Sequence, residues 1–134
     1  MRTVDTNVLV RLITRDGGAQ VAVADTFVKA GAWVSHLVLA ETTWVLASVY
    51  DREPAAIATA IEMLMSHESL SMQDADVVAA ALLHFRRRPA LGFSDCLVLE
   101  IARRAGHLPL GTFDRGLAKL DPGTVQSLAT RGSG

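Results

Sequence analysis

One stretch near the beginning of the chain, RTVDTNVLVRLI at residues 2–13, decides how the fold is interpreted. Its first four residues predict a short strand that ends at the carboxylate of Asp5. The mostly apolar run from Val8 to Ile13 predicts a helix that follows almost at once. A strand that passes into a helix with an acid at the junction suggests a sheet with chemistry at the carboxyl ends of its strands.

The rest of the chain repeats this alternation. Helical apolar spacing predicts helices over residues 19–29, 38–50, 53–65, 74–86, 94–105 and 115–120, and strands are expected at 32–35, 70–72, 108–113 and 125–128. Ser94 is the predicted N-cap of its helix, and glycines at 31 and 106 are predicted to end theirs. Short strands between amphipathic helices predict an α/β sandwich with a largely parallel sheet.

Composition indicates one globular domain. The chain has 134 residues, of which 50% are hydrophobic and 20% charged, so residues 1–130 are expected to form one domain with a flexible tail at 131–134. Its net charge of −1 does not itself indicate a nucleic-acid partner, although eleven of the thirteen basic residues are Arg, which suits phosphate. A single cysteine and the lack of a long uncharged run predict a cytoplasmic protein without a membrane span.

Four of the fourteen acidic residues stand out by their expected positions. Asp5 and Asp114 follow strands, whereas Glu41 and Asp95 are expected in the opening turns of helices and on stripes shared with apolar residues. Each acid taken alone is better explained as a helix cap or a turn residue. Four carboxylates on one rim would repel each other and lose hydration, and a hard divalent cation such as Mg²⁺ would relieve that cost.

These residues and their surroundings resemble a known family. The motifs are VDTNVLVR at 4–11, the helix-borne Glu41, FSDCLVLEIA at 93–102 and TFDRGL at 112–117. Together they resemble the PIN domain, and most of all the VapC toxins of type II toxin–antitoxin pairs, from Met1 to about residue 125. The resemblance implies a PIN-like three-layer α/β/α sandwich with a mainly parallel central sheet.

The resemblance also implies an activity and the residues that carry it. It implies a Mg²⁺-dependent endoribonuclease, with Mn²⁺ as a substitute metal. Asp5, Asp95 and Asp114 would be the leading metal ligands, and Glu41 would complete the cage and orient or deprotonate the attacking water. Asn7 and Thr112, on the positions beside the acids, would brace the carboxylates or a metal-bound water. An Asx-type turn and an ordinary strand threonine are equally good explanations of these last two.

Partners follow from the same resemblance. It implies an RNA substrate, a cognate VapB-like antitoxin that covers the site, and a homodimer. Trp33, Trp44, Tyr50, Ile57 and Ile61 are candidates for these protein contacts, although core packing is the favoured explanation of each. Candidates for phosphate contacts are Arg11, Arg15, Arg86, Arg87, Arg88 and Arg115, where the run at 86–88 also fits a solvated helix end.

Two rival functions are open from the sequence. One is a PIN-like module that has lost catalysis and only binds RNA or protein, which the complete set of four acids disfavours. The other is an Asp-based phosphotransfer domain of receiver or haloacid-dehalogenase type, since those also place Asp at strand ends. Asp5-Thr6-Asn7 lacks the second Asp of a D-x-D nucleophile motif, and Lys119 is poorly spaced for a phosphate lysine.

Overall fold

The structure is a computed structural model that describes residues 1–128 of the chain. Its strands are β1 (Arg2–Thr3), β2 (Ala32–Val34), β3 (Leu70–Met72), β4 (Leu110–Thr112) and β5 (Val125–Ser127). Its helices are α1 (Thr6–Thr14), α2 (Ala19–Lys29), α3 (His36–Ser48), α4 (Pro54–Ser66), α5 (Ala75–Arg87), α6 (Phe93–Ala105) and α7 (Arg115–Leu120), with a 3₁₀ turn at Pro89–Leu91. The tail predicted at 131–134 lies outside the described residues.

The strands pair in parallel, as predicted. In one sheet, β2 lies between β1 and β3, with Ala32 opposite both Arg2 and Leu70. In the other, β4 pairs with β5, with Leu110 opposite Val125. Parallel pairing places the carboxyl ends of β1, β2 and β3 at one edge, where α1 and α3 begin. The predicted α/β architecture is therefore confirmed, although hydrogen bonding divides the described strands between a three-stranded and a two-stranded sheet.

The main core lies between the three-stranded sheet and the helices around it. Its largest fully buried side chains include Leu9, Leu39, Leu46 and Leu64. Ile57 and Ile61, two of the candidates for a protein contact, are also buried there, so the core explanation of both is correct. A second, smaller cluster is centred on Leu99, Leu117 and Val125 and packs α6 against α7 and β5.

Helix α3 begins two residues earlier than predicted. Ser35 is its N-cap, and the Ser35 hydroxyl accepts a hydrogen bond from the backbone N–H of Val38 at 3.1 Å. Glu41 consequently lies in the second turn of the helix rather than in the first. Glu41 was also expected on an apolar stripe of this helix with Leu37 and Trp44, facing the core. That expectation is wrong, because Leu37 and Trp44 are 69% and 67% exposed.

Helix α6 also begins earlier than predicted, at Phe93 instead of after a Ser94 cap. The N-cap position is Gly92, whose φ of +82° is available to glycine without strain. Phe93 is buried and meets Phe85 edge to face, with ring centroids 6.1 Å apart and an interplanar angle of 88°. Burial of this ring explains the early start, and it leaves Asp95 in the first turn, as predicted.

No helix among residues 1–128 combines the length and the apolar character that a bilayer crossing requires.

Candidate active site

Asp5 and Asp114 hold equivalent positions in the two sheets. Each follows a strand by two residues and is the N-cap of the next helix, α1 or α7. Oδ1 of Asp5 accepts from the N–H of Val8 at 3.2 Å, and Oδ1 of Asp114 accepts from the N–H of Leu117 at 3.0 Å. Both side chains belong to exposed residues. The capping explanation of these acids is therefore correct, and capping occupies one oxygen of each carboxylate while the helix end favours its negative charge.

Glu41 is linked to the segment that carries Asp5. The hydroxyl of Thr6, the first residue of α1, donates a hydrogen bond to Oε2 of Glu41 at 2.8 Å. This bond joins α1 to α3, and it directs the Glu41 carboxylate toward the residue next to Asp5. Thr6 was not among the residues predicted for the site, although a hydroxyl residue directly after a predicted site acid was a signal for it.

Asp95 and Asp114 interact electrostatically. Partial burial raises the pKa of Asp95, and the charge of Asp114 raises it further. Burial also raises the pKa of the adjacent Cys96 thiol to about 11, with a contribution from the charge of Asp95. Cys96 is fully buried and remains a neutral thiol. Of the four predicted acids, Asp95 is therefore the one whose ionisation is disfavoured, first by burial and then by the charge of Asp114.

The four acids do not form a ready-made set of metal ligands in the part of the chain that the structure describes. Within residues 1–128, no group of three or more His, Cys, Asp or Glu side chains is placed to hold a metal ion. The donor chemistry nevertheless fits Mg²⁺, which prefers oxygen ligands and is usually bound by one or two carboxylates while water and substrate phosphate complete its shell. The Asp95–Asp114 pair supplies that number of carboxylates, and its mutual repulsion would fall when a cation binds.

The two supporting polar residues differ in what they contact. The Thr112 hydroxyl accepts a hydrogen bond from the backbone N–H of Asp114 at 3.0 Å, so it braces the segment that holds this acid. Asn7 is exposed and lies with Asp5 at a groove of about 790 Å³ between α1 and α2. The walls of this groove include Val8, Val23 and Phe27, so its surface is largely apolar.

Three of the six arginines proposed for phosphate contacts are engaged by other side chains. Arg11 donates to Oε1 of Gln20 at 2.9 Å and to the Tyr50 hydroxyl at 3.4 Å. Two further arginines form ion pairs, Arg15 with Asp25 and Arg86 with Glu62. Contact with phosphate would require Arg11, Arg15 and Arg86 to leave these partners.

The other three candidate arginines also lie at the surface. Arg87, Arg88 and Arg115 are all exposed, and Arg115 lies beside Asp114 in sequence. Helices α5 and α6 run antiparallel, because His84 meets Glu100 near one end and Asp76 meets Arg104 at the other. The end of α5 that carries Arg87 and Arg88 therefore lies at the same end of this helix pair as Asp95.

The aromatic candidates for a protein contact differ in how far they are exposed to solvent. Trp44 is 67% exposed and Trp33 is 38% exposed, so both reach the surface. Tyr50 is half-buried, and its hydroxyl donates to Oδ2 of Asp16 at 3.2 Å and accepts from Arg11. Tyr50 therefore has a local structural role, whereas Trp44 presents a large apolar surface to solvent.

Comparison with known protein families identifies the class. The PIN domain family matches residues 3–122, which is most of the chain. The chain therefore belongs to the PIN domain family, whose members are typically nucleases and generally use divalent metals. Neither the curated proteins nor the solved structures include a match to this chain.

Proposed function

We propose that this PIN domain is a Mg²⁺-dependent endoribonuclease whose metal is held by Asp95 and Asp114 together with Asp5. The observation that carries the proposal is the placement of Asp95 in the first turn of α6 and of Asp114 at the N-cap of α7, where the charge of Asp114 adds to burial in raising the pKa of Asp95. Such a pair is unfavourable without a counter-charge, so it is expected where a cation is to be bound. Mn²⁺ is expected to substitute, since it accepts the same oxygen ligands.

The chain's own groups account for the remaining chemistry. Mg²⁺ held by these carboxylates would supply positive charge beside a phosphoryl oxygen and would lower the pKa of the attacking water. The Glu41 carboxylate, held by Thr6, takes the proton from the attacking water. The water oxygen bonds to phosphorus in line with the departing 3′-oxygen of the sugar, which leaves as a hydroxyl after taking a proton from solvent. The resemblance to VapC toxins suggests these 5′-phosphate and 3′-hydroxyl products. Arg87, Arg88 and Arg115 bind flanking phosphates, which offsets the repulsion between an acidic site and RNA.

We also propose that the protein acts in the cytoplasm as the toxin of a toxin–antitoxin pair. The groove between α1 and α2 supports this, because Asp5 and Asn7 lie at an apolar channel that a VapB-like antitoxin segment could fill. A basic antitoxin side chain would then compete with the metal for the acids. The exposed Leu37 and Trp44 of α3, and Val98 of α6, support a homodimer in which apolar surface is covered by a second copy.

A cleavage assay tests the nuclease proposal. The purified chain is incubated with single-stranded RNA and Mg²⁺, with EDTA, and with EDTA followed by excess Mg²⁺, and the ends are mapped. We expect cleavage with Mg²⁺, none with EDTA, and recovery after the metal is restored. Cleavage that survives chelation would contradict the proposal. RNA binding without cleavage would favour the silent module, and stable phosphorylation of Asp5 by a small phosphodonor would favour the phosphotransfer domain.

A further inference from the structure

The two members of the acidic pair belong to differently built parts of the fold. Asp114 lies within residues 110–127, here called the β4–β5 unit, which contains β4, α7 and β5. This unit has its own two-stranded sheet, and its buried Leu117 and Val125 pack against Leu99 of α6. Asp95 lies on α6, which packs against α5 and contributes Leu97 to the main core. The spacing between the two carboxylates therefore depends on how the β4–β5 unit is held against α6.

Arg103 provides a polar link between these two parts. It lies near the end of α6, and its Nη2 donates to Oδ2 of Asp121 at 2.7 Å and to the Thr124 hydroxyl at 3.4 Å. Asp121 is the C-cap of α7, and Thr124 precedes β5. The hydrogen bond from Arg103 lowers the pKa of Asp121 below its ordinary value, with help from Thr124. One guanidinium thus holds both ends of the loop that joins α7 to β5.

Arg103 is also held by Glu100, a buried carboxylate on its own helix. Its Nε donates to both oxygens of Glu100, at 3.2 and 3.1 Å. Glu100 is buried, with 7% of its surface exposed, and its Oε2 lies 3.3 Å from Nε2 of His84 on α5. The planar guanidinium can serve two carboxylates in one fixed geometry, which an ammonium group cannot do. The network therefore runs from α5 through α6 to the β4–β5 unit.

We infer that Arg103 is a positioning residue that fixes Asp114 relative to Asp95 through Asp121 and Thr124, and so sets the affinity of the site for a divalent cation. The inference rests on the proposed metal site. Arg103 lies eight residues, or about two turns, beyond Asp95 on α6, so it acts through the backbone of the β4–β5 unit and not by contact with the metal. Groups that orient metal ligands typically change affinity by about 10- to 100-fold when they are removed.

A neighbouring ion pair provides the matched control. Arg104 is the next residue on α6, and it pairs with Asp76 at the beginning of α5. This pair joins α6 to α5 and does not reach the β4–β5 unit. A substitution of Arg104 breaks a guanidinium–carboxylate contact on the same helix. It therefore measures the effect of losing an ion pair that is not connected to the β4–β5 unit.

The experiment measures Mn²⁺ affinity from the electron paramagnetic resonance signal of free Mn²⁺, without RNA. The proteins are the parent chain and the variants Arg103→Gln, Arg103→Lys, Asp121→Asn and Arg104→Gln, each checked for its fold by its amide NMR spectrum. We expect binding to weaken about 10-fold in Arg103→Gln, to a smaller extent in Arg103→Lys and Asp121→Asn, and to stay within about twofold of the parent in Arg104→Gln. The double variant Arg103→Gln/Asp121→Asn is expected to bind no more weakly than Arg103→Gln alone, because both changes break one link.

The results that would contradict the inference can be told apart. Parent-like Mn²⁺ affinity in folded Arg103→Gln and Asp121→Asn would overturn the inference and leave the metal site intact. Equal weakening in Arg104→Gln would show a general stability effect and would also overturn it. If Arg103→Gln fails to fold, Asp121→Asn decides between these outcomes. Absence of Mn²⁺ binding by the parent would overturn the proposed function, and the inference with it.

Discussion

Thr6 donates a hydrogen bond to Oε2 of Glu41 at 2.8 Å and so joins the helix capped by Asp5 to the helix that carries Glu41. The two acids are 36 positions apart in sequence, and this bond links their segments at the beginning of α1, above the core in which Leu9 and Leu39 are buried. Thr6 thus orients a predicted site carboxylate although it is not itself one of the four acids.

The first prediction concerns this hydrogen bond. Thr6→Val keeps the shape of the side chain but removes the donor, so Glu41 loses its orientation. We expect RNA cleavage to fall by about 10- to 100-fold, as when other groups that orient active-site carboxylates are removed. Thr59→Val on α4 is the control, because the Thr59 hydroxyl bonds only the carbonyl of Ala55 among the described contacts. Equal rates for Thr6→Val and the parent would show that this bond does not position Glu41.

The second prediction concerns stability without metal. Because the folded state raises the pKa of Asp95, ionisation of this group costs stability as pH rises from about 3.9, the ordinary value, through the raised value. Asp95→Asn removes this cost. The variant is therefore expected to unfold at a higher temperature than the parent near pH 7 and at a similar temperature near pH 3. Calorimetry in EDTA checks this, and a less stable variant at pH 7 would contradict the assigned repulsion.

The third prediction concerns stability with metal. A ligand that binds only the folded state stabilises it by about 2.7 kcal/mol at 100 times its Kd. For a domain of this size that corresponds to a rise of several degrees in the unfolding temperature. We expect Mg²⁺ to produce this rise in the parent and not in Asp114→Asn. The unfolding temperature is measured over a series of Mg²⁺ concentrations and, as a control, in NaCl of equal ionic strength. Identical shifts in the two proteins would show that Asp114 is not a metal ligand.

The fourth prediction concerns phosphate contacts. Arg87 and Arg88 are exposed at the end of α5, whereas Arg86 is paired with Glu62. For single strands, each phosphate contact contributes about 0.7 to the slope of log affinity against log salt. The change Arg87→Gln/Arg88→Gln, made in an inactive Asp95→Asn background, is expected to weaken RNA binding and to reduce this slope by about 1.4. Arg86→Gln should leave the slope unchanged, and an unchanged slope in the double change would exclude both residues.

Much of the fold could be predicted because its signals are local. Gly106 marked the end of α6 correctly, and apolar spacing predicted α4 to within one residue at each end. The errors arose where a tertiary contact or an unrecognised cap decided the boundary. Ser35 caps α3 and moves Glu41 into the second turn, and burial of Phe93 against Phe85 starts α6 before Ser94.

The site could be predicted only in part. Acids that follow strands are visible as a pattern, so Asp5 and Asp114 could be selected from the sequence. The partners of the arginines could not, because the pairs Arg86–Glu62 and Arg103–Asp121 join residues that are distant in sequence. The division of the strands into two sheets has the same cause, since strand pairing depends on contacts that no local pattern encodes.

We propose that carboxylates from separate segments of this chain hold a divalent metal for RNA cleavage. The single-turnover rate of RNA cleavage, measured against Mg²⁺ concentration for the parent and Asp95→Asn, tests it most directly. The expected result is a rate that rises with Mg²⁺ to a plateau in the parent and stays at background in folded Asp95→Asn. A parent rate independent of Mg²⁺, or a variant that reaches the parent's plateau at the same concentrations, would contradict the claim.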